Sequence, residues 1–225
     1  MWIQEGVLLH RCCDMLPAMI EFPDPSHANE DGLLAVGGNL ESSTLLAAYS
    51  RGVFPWYSEG QPILWWSPDP RMVLFPSEFH CSKRLARRMR QNLYTISIDE
   101  AFDAVIRCCA EIPRAGECGT WILPEMISAY GEMFAEGYAH SVEVWREEEL
   151  VGGLYGVLHN NIFFAESMFS RQIDASKMAL AALCERALRE GWRLIDCQFH
   201  TSHLQSLGAR EIPRQKFLAL IADAA

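Results

Sequence analysis

Apolar and polar positions alternate most regularly between residues 139 and 170, in AHSVEVWREEELVGGLYGVLHNNIFFAESMFS. That period predicts three strands, parted by turns at Glu147–Glu149 and Asn160–Asn161. Helical spacing appears in ESSTLLAAYSRG, where Ser42 or Ser43 would cap and Gly52 would terminate. It recurs in SKRLARRMRQ, with Ser82 as cap and Leu85 and Met89 forming one apolar stripe. EAFDAVIRCCAEI follows. So does a stretch bearing Met126, Ile127, Tyr130, Met133 and Phe134 that ends at Gly137. KMALAALCERALRE stops at Gly191, and TSHLQSLG and RQKFLALIADA complete the helices. YTISID and RLIDCQFH read as strands and AREIP as extended chain.

Residues 1–72 are rich in Pro, Gly and Trp and predict turns and short extended pieces, a small irregular N-terminal domain. Residues 73–225 form the second unit. From residue 83 the order αβααβββαβαβα predicts an α+β fold with a mixed, largely antiparallel sheet. This is the outline of a GNAT-like acyltransferase domain, and outline alone says little about function.

Composition adds limits. The 225 residues are 50% hydrophobic and 21% charged, enough apolar mass for a substantial core. The net charge of -10 argues against nucleic-acid binding by the whole surface but leaves room for a local basic patch. Of the eight cysteines, Cys12–Cys13 and Cys108–Cys109 are adjacent and none forms C-x-x-C, so reduced thiols in a cytoplasm are expected. The N-terminus has neither the basic start nor the apolar run of a signal peptide. No stretch reaches the roughly 18 apolar residues of a membrane span.

The chemistry concentrates in two strands. Glu166 interrupts the apolar run IFFAESMF, where desolvating a carboxylate costs several kcal/mol unless something pairs with it. Alternation places Ile162, Phe164, Glu166 and Met168 on one face. In RLIDCQF it places Leu194, Asp196 and Gln198 together, with Ile195 and Cys197 opposite. Strands joined by one crossover helix are usually near neighbours, so Glu166, Asp196 and Gln198 converge. They form either a site or a set of polar groups satisfied by a nearby Arg or backbone amides. Lys83, Arg84, Arg87, Arg88 and Arg90 make a basic stripe, either a solvated face or a contact for a phosphate backbone. Trp56, Trp65, Trp66 and Trp121 either pack or stack on a base. His200 and His203 lack further ligand-type residues at useful spacing, so no metal is expected. A CoA-dependent N-acetyltransferase is disfavoured. The position for a phosphate-cradling turn reads SRQIDASK, without Gly and with Asp174 repelling phosphate. A catalytically inert RNA- or peptide-binding module is the other rival.

GLLAVGGNL, LLAAYSRGVFPWYSEGQPILWWSPDPR, GTWI, AESMFSR, DASK, LIDCQ and SLGAREIPR together closely resemble the leucyl/phenylalanyl-tRNA–protein transferase family, from about residue 22 to residue 220. The resemblance implies transfer of Leu or Phe, sometimes Met, from aminoacyl-tRNA to the N-terminal amine of proteins starting with Arg or Lys, marking them for N-end rule degradation. No cofactor or metal is implied. Glu166 would recognise the acceptor's basic N-terminus. Asp196 would polarise Gln198, and Gln198 would contact the amine or the ester. Tyr49, Trp56, Trp121 and Tyr130 would surround the 3′-adenosine and acceptor. Leu154, Phe163, Met168, Leu180, Leu183 and Ile195 would form the amino-acid pocket. The basic helix would meet the acceptor stem. Relatives that move Arg to acidic N-termini make an arginyl-type activity the alternative. MWIQEGVLLHRCCDMLPAMI matches no pattern, and no role is carried there.

Overall fold

The computed structural model describes residues 7–8, 20–112 and 121–223. Cys12, Cys13 and Cys118, and the Gly119–Thr120 part of the GTWI motif, lie outside the described residues. Two sheets build the molecule. The smaller has β1 (Val7–Leu8), β2 (Leu33–Val36), β3 (Phe54–Pro55) and β4 (Leu64–Trp66) in the order β1-β2-β4-β3. Helix α1 (Ser42–Tyr49) lies between β2 and β3 in sequence. Ser42 and Ser43 sit inside α1 rather than capping it. Glu41 takes the N-cap position without a side-chain cap, and Asn39 just before it steadies the helix start, its Oδ1 accepting from Glu41 N (3.1 Å) and Thr44 Oγ1 (2.7 Å). Gly52 then takes φ +68°, a left-handed turn that glycine adopts without strain.

The larger sheet starts with β5 (Arg71–Leu74), whose four residues are all buried. A strand covered on both faces carries no alternation, which is why period-2 reading passes over it. The chain continues through α2 (Lys83–Met89), β6 (Thr95–Ile98), α3 (Phe102–Glu111) and α4 (Pro124–Ala135). The meander β7 (Ala139–Arg146), β8 (Glu149–His159) and β9 (Ile162–Ser170) follows. Then come α5 (Ala175–Glu190), β10 (Leu194–Gln198), α6 (Ser202–Ser206), β11 (Arg210–Ile212) and α7 (Arg214–Ala222). The strand order is β11-β5-β10-β9-β8-β7-β6. Among the described residues of this sheet only β9 and β10 pair in parallel, so it is mixed and largely antiparallel, as an α+β chain of this order requires.

Ser82 caps α2 as its position predicts, its Oγ accepting from Leu85 N at 3.2 Å. Asn160 and Asn161 both have positive φ, 48° and 56°, the backbone of a two-residue hairpin turn. Two cores flank the larger sheet. On one face Val105, Tyr130, Tyr155, Phe164 and Phe169 pack with Tyr49, Phe54 and Trp65 from the N-terminal segment, and with Phe217 of α7. On the other, Leu154, Phe163, Ile195 and Cys197 pack with Leu180 and Leu183 of α5 and Leu85 of α2. The N-terminal segment thus shares its core with the larger sheet. Among the described residues no helix is long and apolar enough to cross a membrane.

Candidate active site

The site begins with an irregularity in β9. Tyr155 pairs with Ser167 and Gly156 with Ala165, leaving Glu166 without a partner on β8. This is a β-bulge, one residue in excess on one strand. Gly156 makes it possible. A Cβ there would lie 2.2 Å from Phe164 O and 2.6 Å from Phe163 Cε1. The extra residue resets the alternation. Phe164 and Phe169 face the first core, while Phe163, Ala165 and Met168 face the second. Met168 therefore does not share a face with Ile162 and Phe164 as unbroken alternation predicted.

The parallel pairing of β9 and β10 stops at Phe164–Asp196, and the strands part beyond it. A cavity of about 540 Å³ opens there. Ala165, Glu166, Ser167 and Met168 line it from β9. Cys197, Gln198 and Phe199 line it from β10 and just beyond, and Leu154 and Leu180 from β8 and α5. Phe54, Pro55, Trp56 and Trp121 form another wall, with Thr201, His203 and Leu204 at α6. This is an apolar hollow with few polar groups, the usual build of a small-ligand site.

Glu166 is only 9% exposed. Its Oε1 accepts from Tyr49 OH at 2.8 Å and its Oε2 from Tyr130 OH at 3.0 Å. The two hydroxyls are themselves 2.6 Å apart. Gln198 Nε2 reaches Oε1 at 3.4 Å, a weak contact. Burial pushes the Glu166 carboxyl up to about 7, against the tyrosine hydrogen bonds and with the Asp196 charge adding to the rise. The same burial raises both tyrosine hydroxyls well above their usual range, so they stay protonated.

Arg71 makes no hydrogen bond or ion pair with Glu166; the guanidinium serves Asp196 instead. Its Nε donates to Oδ1 at 2.8 Å and its Nη2 to Oδ2 at 2.6 Å, with both side chains fully buried. The rings of Phe54 and Phe217 lie 4.7 and 4.6 Å from the guanidinium carbon. Asp196 Oδ1 also accepts from the backbone N–H of Gln198 at 3.1 Å. Gln198 has φ +56°, a conformation that costs a non-glycine residue energy unless something holds it. Asp196 thus meets Gln198 through its backbone N–H.

Of the expected pocket residues, Leu154, Met168 and Leu180 line the cavity with Trp56, Trp121, Glu166 and Gln198. Tyr49 and Tyr130 stand behind Glu166. Phe163, Leu183 and Ile195 do not reach the cavity. They are fully buried in the core beside it, Phe163 stacked on Trp192 at 5.5 Å. Trp65 is core as well, its indole N–H donating to Gly37 O. Trp66 donates to Trp56 O and meets its ring edge-on, which positions Trp56 at the cavity.

Lys83, Arg84, Arg87, Arg88 and Gln91 surround a second hollow, on α2. The stripe contains no acid in sequence, but Asp174 enters from the start of α5. Its carboxylate lies 3.3 Å from Arg88, 3.8 Å from Arg84 and 3.0 Å from Lys177. Arg87 and Arg90 remain exposed.

Several lining residues escaped sequence reading: Phe54, Pro55, Ala165, Ser167, Phe199, Thr201, His203 and Leu204. So did Arg71, whose only trace is a single cation opening the apolar run RMVLF. Cys197 lines the cavity too, but burial beside Asp196 raises its thiol pKa, which suits packing rather than nucleophilic attack.

Comparison with known proteins agrees with the motifs. The family model for leucyl/phenylalanyl-tRNA protein transferase matches residues 73–222. The model for the N-terminal domain of the same family matches residues 38–69. A leucyl/phenylalanyl-tRNA–protein transferase of Syntrophobacter fumaroxidans is 56% identical over 202 residues, covering 90% of this chain and 86% of its own. One of Teredinibacter turnerae is 51% identical, covering 91% and 80%. One of Anaeromyxobacter sp. is 54% identical, covering 93% and 89%. Among solved structures, a GCN5-related N-acetyltransferase from Kribbella flavida aligns with a TM-score of 0.38 and 11% identity, over 73% of this chain and 58% of that one. That likeness is too slight to bear weight. The motifs, both family models and relatives above 50% identity along nine-tenths of the chain agree: it belongs to the leucyl/phenylalanyl-tRNA–protein transferase family.

Proposed function

We propose that the protein transfers Leu or Phe, with Met tolerated, from the 3′ end of aminoacyl-tRNA to the N-terminal amine of a protein starting with Arg or Lys. The product would enter N-end rule degradation. One observation carries this reading. Glu166 is a buried carboxylate at the wall of an apolar cavity, hydrogen-bonded by hydroxyls and an amide and, among the described residues, joined to no cation by a hydrogen bond or ion pair. A cation brought by a substrate completes it. The donor's apolar side chain fits among Leu154, Met168 and Leu180, and the 3′-adenosine against Trp56 and Trp121. Arg87 and its neighbours on α2 take the acceptor-stem phosphates. The donor ester is already activated, so the protein's main task is to hold the amine against the carbonyl carbon. Arg71 and Asp196 serve that task by fixing the backbone of Gln198, whose carboxamide orients the amine.

The test offers radiolabelled Phe-tRNA, Leu-tRNA and Arg-tRNA with acceptors starting in Arg, Lys, Asp or Glu. Label passes from Phe-tRNA and Leu-tRNA to the Arg and Lys acceptors. Label moving only from Arg-tRNA to Asp and Glu acceptors would establish the arginyl-type activity instead.

A further inference from the structure

The triangle formed by Tyr49 OH, Tyr130 OH and the Glu166 carboxyl has three short sides: 2.6, 2.8 and 3.0 Å. Each side needs one proton to be a hydrogen bond. With Glu166 ionised, the two hydroxyls supply only two. If both donate to the carboxylate, the 2.6 Å side sets oxygen lone pairs against each other. If one donates to the other, a side of the carboxylate goes unfilled. A proton on Glu166 makes three protons for three sides, and the ring closes: Tyr49 to Oε1, Oε2 to Tyr130, Tyr130 to Tyr49. The protein has built a place where a proton is held.

We propose that Glu166, seated on this tyrosine pair, is the general base of the transfer and takes its proton from the acceptor's α-ammonium. The inference rests on the aminoacyl-transfer reading and assigns its proton route. The α-ammonium gives one proton to the Glu166 carboxylate. The freed lone pair attacks the aminoacyl carbonyl carbon, so a C–N bond forms and the ester C–O bond breaks. The second proton leaving the nitrogen goes to the departing ribose oxygen, and Glu166 returns its own proton to solvent. Gln198 cannot serve as this base, because a neutral carboxamide has almost no affinity for a proton. Its amide instead touches the same Oε1, beside the incoming amine.

The groups facing Glu166 suit the role. Tyr49 comes from α1, Tyr130 from α4, and Gln198 and Asp196 from β10. The Asp196 charge raises the carboxyl and the Arg71 charge lowers it, and these oppose each other because the pair is joined. Burial dominates and brings the carboxyl close to neutral pH, where a base and an α-amine exchange a proton with little cost.

The experiment separates a base from a mere anchor for the basic side chain. Two acceptor peptides carry the same Arg side chain at the N-terminus. One presents an ordinary α-amine, the other an aminooxy nitrogen that is unprotonated at neutral pH. The general-base role predicts that Glu166→Gln lowers kcat at least ~100-fold with the amine and less than ~10-fold with the aminooxy acceptor. Equal losses with both acceptors would overturn it. The wild-type protein gives an independent reading, whatever Gln does to folding. Its rate with the aminooxy acceptor stays flat from pH 5.5 to 8, whereas an anchoring carboxylate would still impose a fall towards acid. Failure of the wild type to transfer label to either acceptor would sink the aminoacyl-transfer reading itself.

Discussion

Glu166 is where desolvation and function meet. Its folded carboxyl, near 7, stands above the ordinary value of 4.5, because burial outweighs the two tyrosine hydrogen bonds. Between those two pH values the folded chain binds more protons than the unfolded one, so stability falls as pH rises through the window. The full cost is present above about pH 7 and absent below about 4.5. Glu166→Gln removes this titration. Urea denaturation at pH 4.5, 6 and 7.5 should show the variant gaining on wild type with each step, by up to about 3 kcal/mol at the top. A constant difference across the three values would mean that Glu166 is already ionised throughout.

At the scale of elements, the decisive feature is the β9 bulge, and it depends on a residue of β8. Gly156 has no room for a methyl group against Phe164 O. Gly156→Ala must push the two strands apart or erase the bulge. Loss of about 1–3 kcal/mol of stability is expected in a urea melt. Transfer activity should fall further than that loss explains, because Glu166 leaves its tyrosines. Retained activity with retained stability would show that the bulge is not needed. Strands β7 to β9 were readable because they are long and parted by turn residues, even though both their faces are largely buried. The bulge was not. Its only trace is a carboxylate among apolar residues, and unbroken alternation then sent Met168 to the wrong face. β5 shows neither signal: it has only four residues, all buried, so length and alternation both fail to mark it.

Across the whole molecule, charge is unevenly shared. A chain of net charge -10 keeps a cationic face on α2, partly neutralised by Asp174. Lys83 and Arg87 are exposed and have no part in the ion pairs to Asp174, so reversing them leaves those pairs intact. Lys83→Glu with Arg87→Glu should raise KM for full-length Phe-tRNA about tenfold or more and flatten its salt dependence. A short aminoacyl-adenosine donor should be nearly indifferent to the change. Equal losses with both donors would place the damage in the cavity rather than on the phosphate path.

What the sequence determined by itself was local. Its alternation, helical spacing, caps and turn residues specify most of the elements, and its motifs specify the family, because both depend on near neighbours in the chain. It also marked Glu166, Asp196 and Gln198 as polar groups out of place on apolar strands. Tertiary structure decided what surrounds them. Arg71, 125 residues from Asp196, takes up that carboxylate and leaves Glu166 to two tyrosines from different helices. Phe163, Leu183 and Ile195 became core while Phe54, Phe199 and Leu204 became cavity wall. An apolar residue has the same hydrophobicity in either place. Only the parting of β9 from β10 determines which side chains meet open space.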